Sequence, residues 1–141
     1  MIVRENYNER LEKGTYYDIN TLERDRIINY FKNNHSLSTQ ALSKSDEFYS
    51  VLRRNLANKN EVNPDLDAIL YLDCIGLSTI NLNDYIFILW ELPDQITKLK
   101  IRELHRQWEE IWCPPADDGL VILIPYKKCF LITDYGSVYY D

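Results

Sequence analysis

Cysteine, histidine and glycine are scarce in this sequence, and their scarcity excludes several classes of protein. The three cysteines, Cys74, Cys113 and Cys129, are an odd number at wide spacings, so they predict neither a disulfide framework nor a CxxC pair. The two histidines form no HExxH pattern, and glycine-rich phosphate loops and the GxSxG motif are missing. We therefore expect no catalytic residue, no cofactor and no metal, in a reducing compartment.

Long hydrophobic runs are missing as well. No stretch approaches the roughly 20 apolar residues that a membrane-spanning helix needs. Residues 1–13, MIVRENYNERLEK, contain no apolar signal-peptide segment. If the chain is complete, we expect a cytoplasmic protein that is not secreted by the usual route.

The charge and composition indicate one acidic, folded domain over residues 1–141. Hydrophobic residues make up 45% of the chain, which is enough for a core without disulfides or metals. The formal net charge is −6; residues 1–70 carry 11 acids and 10 bases, whereas residues 71–141 carry 11 acids and 6 bases. This acidity disfavours nucleic acid and anionic membranes as partners and favours a basic protein.

The N-terminal half predicts three helices. The first begins at the Asn20 cap, has Glu23 at the capping-box position and ends near Asn33 and Asn34. The second begins at Ser45, and its apolar residues recur at helical spacing. They are Phe48, Val51, Leu52 and Leu56.

Two stretches of the N-terminal half are less regular. A loop over 58–63 leads to Asn63-Pro64, which predicts the start of a third helix that ends at Gly76. For residues 1–18 the sequence leaves two alternatives: a strand that begins at Ile2 and Val3, or an exposed helix that ends at Gly14.

The C-terminal half predicts a strand, a long helix and a meander. Residues 84–92, DYIFILWEL, indicate a buried strand, although their length also permits a helix. Residues 94–112 predict one long helix, because apolar side chains recur at helical spacing from Ile101 to Trp112. Turns then divide a three-strand antiparallel meander, whose strands are 120–124, 129–133 and 138–140. The predicted fold class is α+β, with N-terminal helices packed on a small, mainly antiparallel C-terminal sheet.

Several side chains could support chemistry, but each has a plainer interpretation. Asp117 and Asp118 could act as acid and base or bind a cation, yet adjacent aspartates in a turn usually have a capping role. A zinc or thiol site built from His35, His105 and the cysteines has no supporting spacing. Free cysteine on an apolar face is typically a small buried hydrophobe.

Tryptophans and tyrosines are the other notable side chains. Trp108 and Trp112 fit core packing better than a ligand pocket, and Trp90 is not assigned. Tyrosines among carboxylates suit a protein partner, because tyrosine gives rigid contact area and carboxylates attract a cationic surface. An ordinary solvated face is an equally weighted interpretation of this set. The candidate partner-binding residues are Glu109, Glu110, Asp117, Asp118, Asp134, Tyr135, Tyr139, Tyr140 and Asp141.

The stretch WEEIWCPPADDGLVILIPYKKCFLITDYGSVYY, from Trp108 to Tyr140, resembles the ending of small bacterial immunity proteins, including those of contact-dependent growth inhibition systems. In that family a tryptophan-bearing helix, a Pro/Asp turn and a terminal β-meander recur. The resemblance implies a cytoplasmic, non-enzymatic protein that neutralises a delivered toxin domain by binding it. It covers the last third of the chain and carries over no catalytic residues.

Three functions are therefore weighed. The leading hypothesis is an immunity protein for a cognate toxin domain, with a basic nuclease as the expected kind. The alternative is a regulatory interaction module, or a self-associating accessory protein, with no toxin. A small hydrolase that uses Asp117 or Asp118 with His105 is the third hypothesis, and it needs a pocket that unites those groups.

Overall fold

The fold is a seven-stranded sheet with helices on its faces, seen in a computed structural model that describes residues 6–34, 37–38, 45–61, 81–91, 95–112, 119–125, 128–133 and 137–140. The strands are β1 (Tyr16–Asp18), β2 (Asn58–Glu61), β3 (Tyr85–Glu91), β4 (Gln95–Lys100), β5 (Gly119–Ile124), β6 (Lys128–Thr133) and β7 (Ser137–Tyr140). The helices are a 3₁₀ turn (Tyr7–Arg10), α1 (Thr21–Asn34), α2 (Ser45–Asn55), α3 (Ile101–Arg106) and α4 (Trp108–Ile111).

The strand order is β1-β4-β3-β5-β6-β7-β2, and each neighbouring pair is antiparallel. The three-strand meander is confirmed, because β5, β6 and β7 are consecutive neighbours. Ile122 pairs with Phe130, and Ile132 pairs with Val138. The α+β fold class is confirmed as well, although the sheet is larger than predicted and includes two strands from the N-terminal half.

Each face of the sheet carries its own hydrophobic core. Side chains alternate between the faces along a strand, so Ile86, Ile88 and Trp90 point to one face while Phe87 and Leu89 point to the other. We call the first the α3–α4 face, because buried side chains of those helices cover it. The second is the α1–α2 face, which residues of α1 and α2 cover. Burial on both faces explains why the central strands are continuous apolar runs rather than alternating ones.

The first two predicted helices are confirmed. Asn20 caps α1 through its side-chain oxygen, which accepts a hydrogen bond from the Glu23 backbone N–H at 2.8 Å. In α2, Phe48 and Leu52 are buried against the sheet, as the helical spacing predicted. The third predicted helix, over 64–76, lies outside the described residues.

The prediction of a single helix over 94–112 is wrong in its first third. Residues 95–100 form β4, which pairs with β3 on one side and β1 on the other. Helical structure begins only at Ile101, where the apolar spacing itself began, and it breaks at Gln107 between α3 and α4. Two hydrogen-bonded neighbours decide the conformation of 95–100 through contacts that the local sequence does not contain.

The predicted loop over 58–63 is also corrected, because Asn58–Glu61 is the edge strand β2, paired along its length with β7. Its sequence, NKNE, is polar, and the side chains of Asn58, Lys59 and Glu61 are exposed. Lys59 and Glu61 form an ion pair at 3.0 Å, and the Ser137 hydroxyl donates to Glu61 at 2.9 Å. Charged side chains on an edge strand oppose unwanted pairing with another chain.

The N-terminal segment, left open by the sequence, docks on the α3–α4 face. Within residues 6–18 it forms the 3₁₀ turn and β1, with Gly14 at φ 85° between them. The Tyr7 ring stacks on Trp90 with centroids 5.0 Å apart and planes 4° apart. Trp90 donates through Nε1 to the Thr97 hydroxyl at 2.9 Å, and that hydroxyl donates to the Asn8 side-chain oxygen. Trp90 is thus a core residue that fastens the N-terminal turn to the sheet.

Candidate functional site

The candidate partner-binding residues divide between three places. Glu109 and Glu110 lie on α4, and Tyr139 and Tyr140 lie on β7. The other five candidates lie outside the described residues. They are Asp117, Asp118, Asp134, Tyr135 and Asp141.

The short helix α4 presents two adjacent carboxylates to solvent. Its side chains Trp108, Ile111 and Trp112 are at most 4% exposed and belong to the core of the α3–α4 face. This i, i+3, i+4 spacing leaves Glu109 and Glu110 on the outer side, where both are exposed. The two tryptophans were correctly predicted to be core residues, and they fix the direction in which the carboxylates point.

The two tyrosines of β7 do not form one surface, because neighbouring residues of a strand point to opposite faces. Tyr140 packs against the α3–α4 core, whereas Tyr139 packs against the α1–α2 core. Lys128 Nζ lies 4.8 Å from the Tyr140 ring centroid, and Lys59 Nζ lies 5.6 Å from that of Tyr139. The proposed tyrosine surface is corrected accordingly: only Tyr140 shares a face of the sheet with α4.

The acidic excess of the C-terminal half is also distributed unevenly. Within residues 71–141, the described positions carry equal numbers of acidic and basic side chains. The excess that motivated a basic partner therefore belongs to residues outside the described ranges, among them Asp117 and Asp118. On the described surface, a binding site must therefore be argued from the positions of individual charged side chains, not from total charge.

A polar cluster ties α3 and α4 to the segment after the 3₁₀ turn. Gln107 is 6% exposed; its Nε2 donates to Thr15 Oγ1 at 2.9 Å and to Glu103 Oε2 at 2.8 Å. Its Oε1 accepts a hydrogen bond from the Glu12 backbone N–H at 2.8 Å. Arg106 contacts Glu103 and Glu12, each at 2.7 Å from Nη2. These bonds hold the helical pair that carries Glu109 and Glu110.

The same cluster perturbs two ionisations. Hydrogen bonding from Arg106, helped by Gln107, lowers the pKa of the Glu103 carboxyl, although partial burial opposes the shift. The reciprocal hydrogen bonds from Glu103 and then Glu12 raise the pKa of Arg106, which therefore stays charged.

Acidification should weaken this cluster. Because the pKa of Glu103 is lower in the folded than in the unfolded chain, its stabilisation is fully present above the unfolded value near 4.5 and is lost as pH falls through the folded value. We expect the free energy of unfolding, measured by urea denaturation, to fall less between pH 5 and pH 3 in Glu103→Gln than in the wild type. Equal losses in the two proteins would contradict this assignment.

The described part of the chain offers little support for the zinc, thiol and hydrolase sites that the sequence analysis considered. Cys129 is fully buried in β6, as expected for a structural cysteine. Within the described residues, no group of three or more histidine, cysteine and acidic side chains could hold a metal ion. His105 is half-buried on α3, and Asp117 and Asp118, its suggested catalytic partners, lie outside the described residues.

A cleft at one end of the sheet was missed from the sequence. It has a volume of about 720 Å³ and lies between α1 and the ends of the central strands, with Tyr85, Lys98 and Arg26 among its lining residues. The sequence carries no local signal for this cleft, because α1 and the strand ends come together only in the tertiary structure.

Comparison of the sequence with protein-family models returns no match, and neither the curated proteins nor the solved structures give one. Within the described ranges, no helix combines the length and apolarity needed to cross a membrane.

Proposed function

We propose that this protein is an immunity protein, which binds a bacterial toxin domain and neutralises it by covering its active site or its nucleic-acid surface. A basic nuclease is the kind of toxin that an acidic inhibitor suits best. The protein would act in the cytoplasm through binding alone, without a catalytic step, cofactor or metal. Its formal net charge of −6 would favour encounter with a basic domain, because opposite charges raise association rates.

The observation that carries the proposal is the outward presentation of Glu109 and Glu110 by α4. Two buried tryptophans flank these residues in sequence, so the carboxylates project from a fixed backbone. A partner would bind charges that are already oriented, which lowers the entropic cost of association. The resemblance of residues 108–140 to the ending of immunity proteins supports the same function.

Co-expression tests the proposal directly. The toxin domain should be taken from the gene adjacent to the one that encodes this chain and expressed with and without this protein. We expect restored growth and a complex that stays intact through size-exclusion chromatography. Growth arrest despite folded, abundant protein, with no complex recovered, would show that this protein does not neutralise that domain.

Charge substitutions on α4 test the surface itself. We expect the double variant Glu109→Gln/Glu110→Gln to lower the association rate constant with the toxin domain about three- to tenfold at low salt, with a smaller salt dependence. The matched control, Asp25→Asn/Glu47→Gln, changes the net charge equally but alters exposed residues of α1 and α2. Equal effects of the two pairs would show that only total charge matters and that α4 is not the contact.

A further inference from the structure

The missed cleft lies where four central strands end together. We call this the Tyr85 end of the sheet, because β3 begins at Tyr85 and pairs there with Lys100 at the end of β4. The end of β5 and the start of β6 meet at the same place, where Ile124 pairs with Lys128. Helix α1 covers this end on one side, so the floor of the cleft is sheet and one wall is helix.

The floor and back of the cleft are apolar. Phe87 is 3% exposed and Ile101 is fully buried, so packed core bounds the cleft at both residues. Ile124 and Pro125 close the side toward the turn between β5 and β6. The volume of about 720 Å³ falls within the range of small-molecule pockets, about 300–1,000 Å³.

Among the described residues of the walls, cations outnumber carboxylates: Arg26, Lys98 and Lys128 stand against Glu23 and Asp84. Lys98 Nζ lies 3.4 Å from Glu23 Oε2, so these two charges largely balance each other. Arg26 and Lys128 form no ion pair with any residue that the structure describes. Lys128 Nζ instead lies 4.8 Å from the Tyr140 ring centroid and 5.3 Å from that of Phe130, so no described carboxylate neutralises either charge.

An aromatic ring completes the walls. The Tyr85 ring has Lys98 Nζ at 5.0 Å and Lys100 Nζ at 5.8 Å from its centroid. The Tyr85 and Tyr17 ring centroids lie 5.7 Å apart in an edge-to-face arrangement. Two backbone hydrogen bonds hold the turn before Tyr85. The Ile101 N–H donates to the Asp84 carbonyl and the Arg102 N–H donates to the Leu82 carbonyl, each at 3.0 Å. These bonds connect the start of α3 to the turn before Tyr85.

The exposed hydrophobic side chains of the described residues lie near cleft residues, in contact or in sequence, although they do not line the cleft itself. Among the described residues, the large hydrophobic side chains that remain exposed are Tyr17 at 49%, Leu22 at 59% and Leu82 at 42%. Tyr17 contacts Tyr85, Leu22 lies one helical turn before Arg26, and Leu82 lies two residues before Asp84. Of these three, Tyr17 extends the aromatic surface beside Tyr85.

We infer that this cleft binds a small amphipathic organic anion, with an aromatic or alkyl body and one carboxylate or phosphate group. The body would lie on Phe87 beside the Tyr85 ring, and the anion would pair with Arg26 of α1, all on the α1–α2 side of the sheet. Lys128, which pairs with Ile124 on the other side, would add positive charge at the end of the cleft. A concave volume of this size suits a small ligand. This site is independent of α4 and of the proposed toxin partner.

Titration with 2-naphthoate, followed by ¹H–¹⁵N correlation spectra of the intact protein, tests the inference. We expect a dissociation constant of about 0.1–1 mM, with shifts confined to backbone amides around the cleft such as those of Arg26, Tyr85 and Lys128. The neutral analogue 2-naphthamide should bind about fivefold or more weakly, because it cannot pair with the cations. Equal affinity for both compounds, or shifts elsewhere on the protein, would overturn the anion site.

Single substitutions test which charged side chains of the cleft contribute to 2-naphthoate binding. Arg26→Met and Lys128→Met should each weaken 2-naphthoate binding about three- to fivefold, whereas Asp84→Asn should tighten it about twofold by removing a repelling carboxylate. Lys32→Met, an exposed substitution on the same helix but outside the cleft, should change nothing. Unchanged affinity in both cation variants would overturn the proposal, as would an acidic aromatic peptide that binds the cleft at least tenfold more tightly than 2-naphthoate.

Discussion

Replacing Trp108 with alanine should lower the free energy of unfolding by about 3–5 kcal/mol, a large part of the total stability of a domain this size. The ring is 4% exposed and packs in the core of the α3–α4 face. Helix α4 has four residues and is too short to be stable alone, so its position depends on the side chains that it buries. Urea denaturation followed by far-ultraviolet circular dichroism measures the loss without relying on tryptophan fluorescence.

Glu109→Ala is the matched control for this prediction. It lies on the same helix but is exposed, so we expect a change within about 0.5 kcal/mol. A Trp108→Ala protein within about 1 kcal/mol of the wild type would contradict the assignment of this ring to the core. If α4 also presents the partner-binding carboxylates, Trp108→Ala should weaken rescue in the co-expression assay even at temperatures where the variant stays folded.

The sequence predicted those elements whose stability is local or whose burial is complete. The Asn20 cap indicated helix α1, and apolar runs separated by turns indicated the meander. In both cases the deciding contacts lie within a few residues or in consecutive strands. Local pattern and tertiary structure therefore agree there.

The elements that sequence missed are decided by distant neighbours. Asn58–Glu61 has poor strand propensity and becomes a strand because β7, at least 76 residues away in sequence, offers it a free edge. Residues 95–100 are similarly flanked by β1 and β3. No pattern within either stretch reports these partners.

The prediction of a single tyrosine surface failed for a different reason. The separation of Tyr139 from Tyr140 required no distant information, because the strand predicted over 138–140 already places neighbours on opposite faces. By contrast, the cleft at Tyr85 joins α1 to four strand ends, and only the tertiary structure places residues of both around one space. The sequence could therefore have excluded the single tyrosine surface, but it could not have located the cleft.

Replacing Gln107 with leucine should lower the free energy of unfolding by about 2–3 kcal/mol at pH 7. The side chain is buried, and its amide makes three hydrogen bonds to Glu12, Thr15 and Glu103. Leucine preserves the approximate volume but leaves these groups without their partner, and unsatisfied polar groups cost more than the net value of the bonds themselves. Urea denaturation of the two proteins gives the difference.

A second substitution at the same position, Gln107→Glu, separates hydrogen bonding from packing. Its carboxylate can still accept from the Glu12 N–H, but it would face Glu103 Oε2, which the Gln107 amide approaches to 2.8 Å. Two carboxylates this close raise the pKa of the pair, so the variant should be less stable than Gln107→Leu at pH 8. On acidification to pH 5 a shared proton can bridge the oxygens, and the deficit relative to wild type should shrink. A deficit that stays constant from pH 8 to pH 5 would show that Gln107 does not lie against Glu103, and the link between α3, α4 and the N-terminal segment would need another explanation.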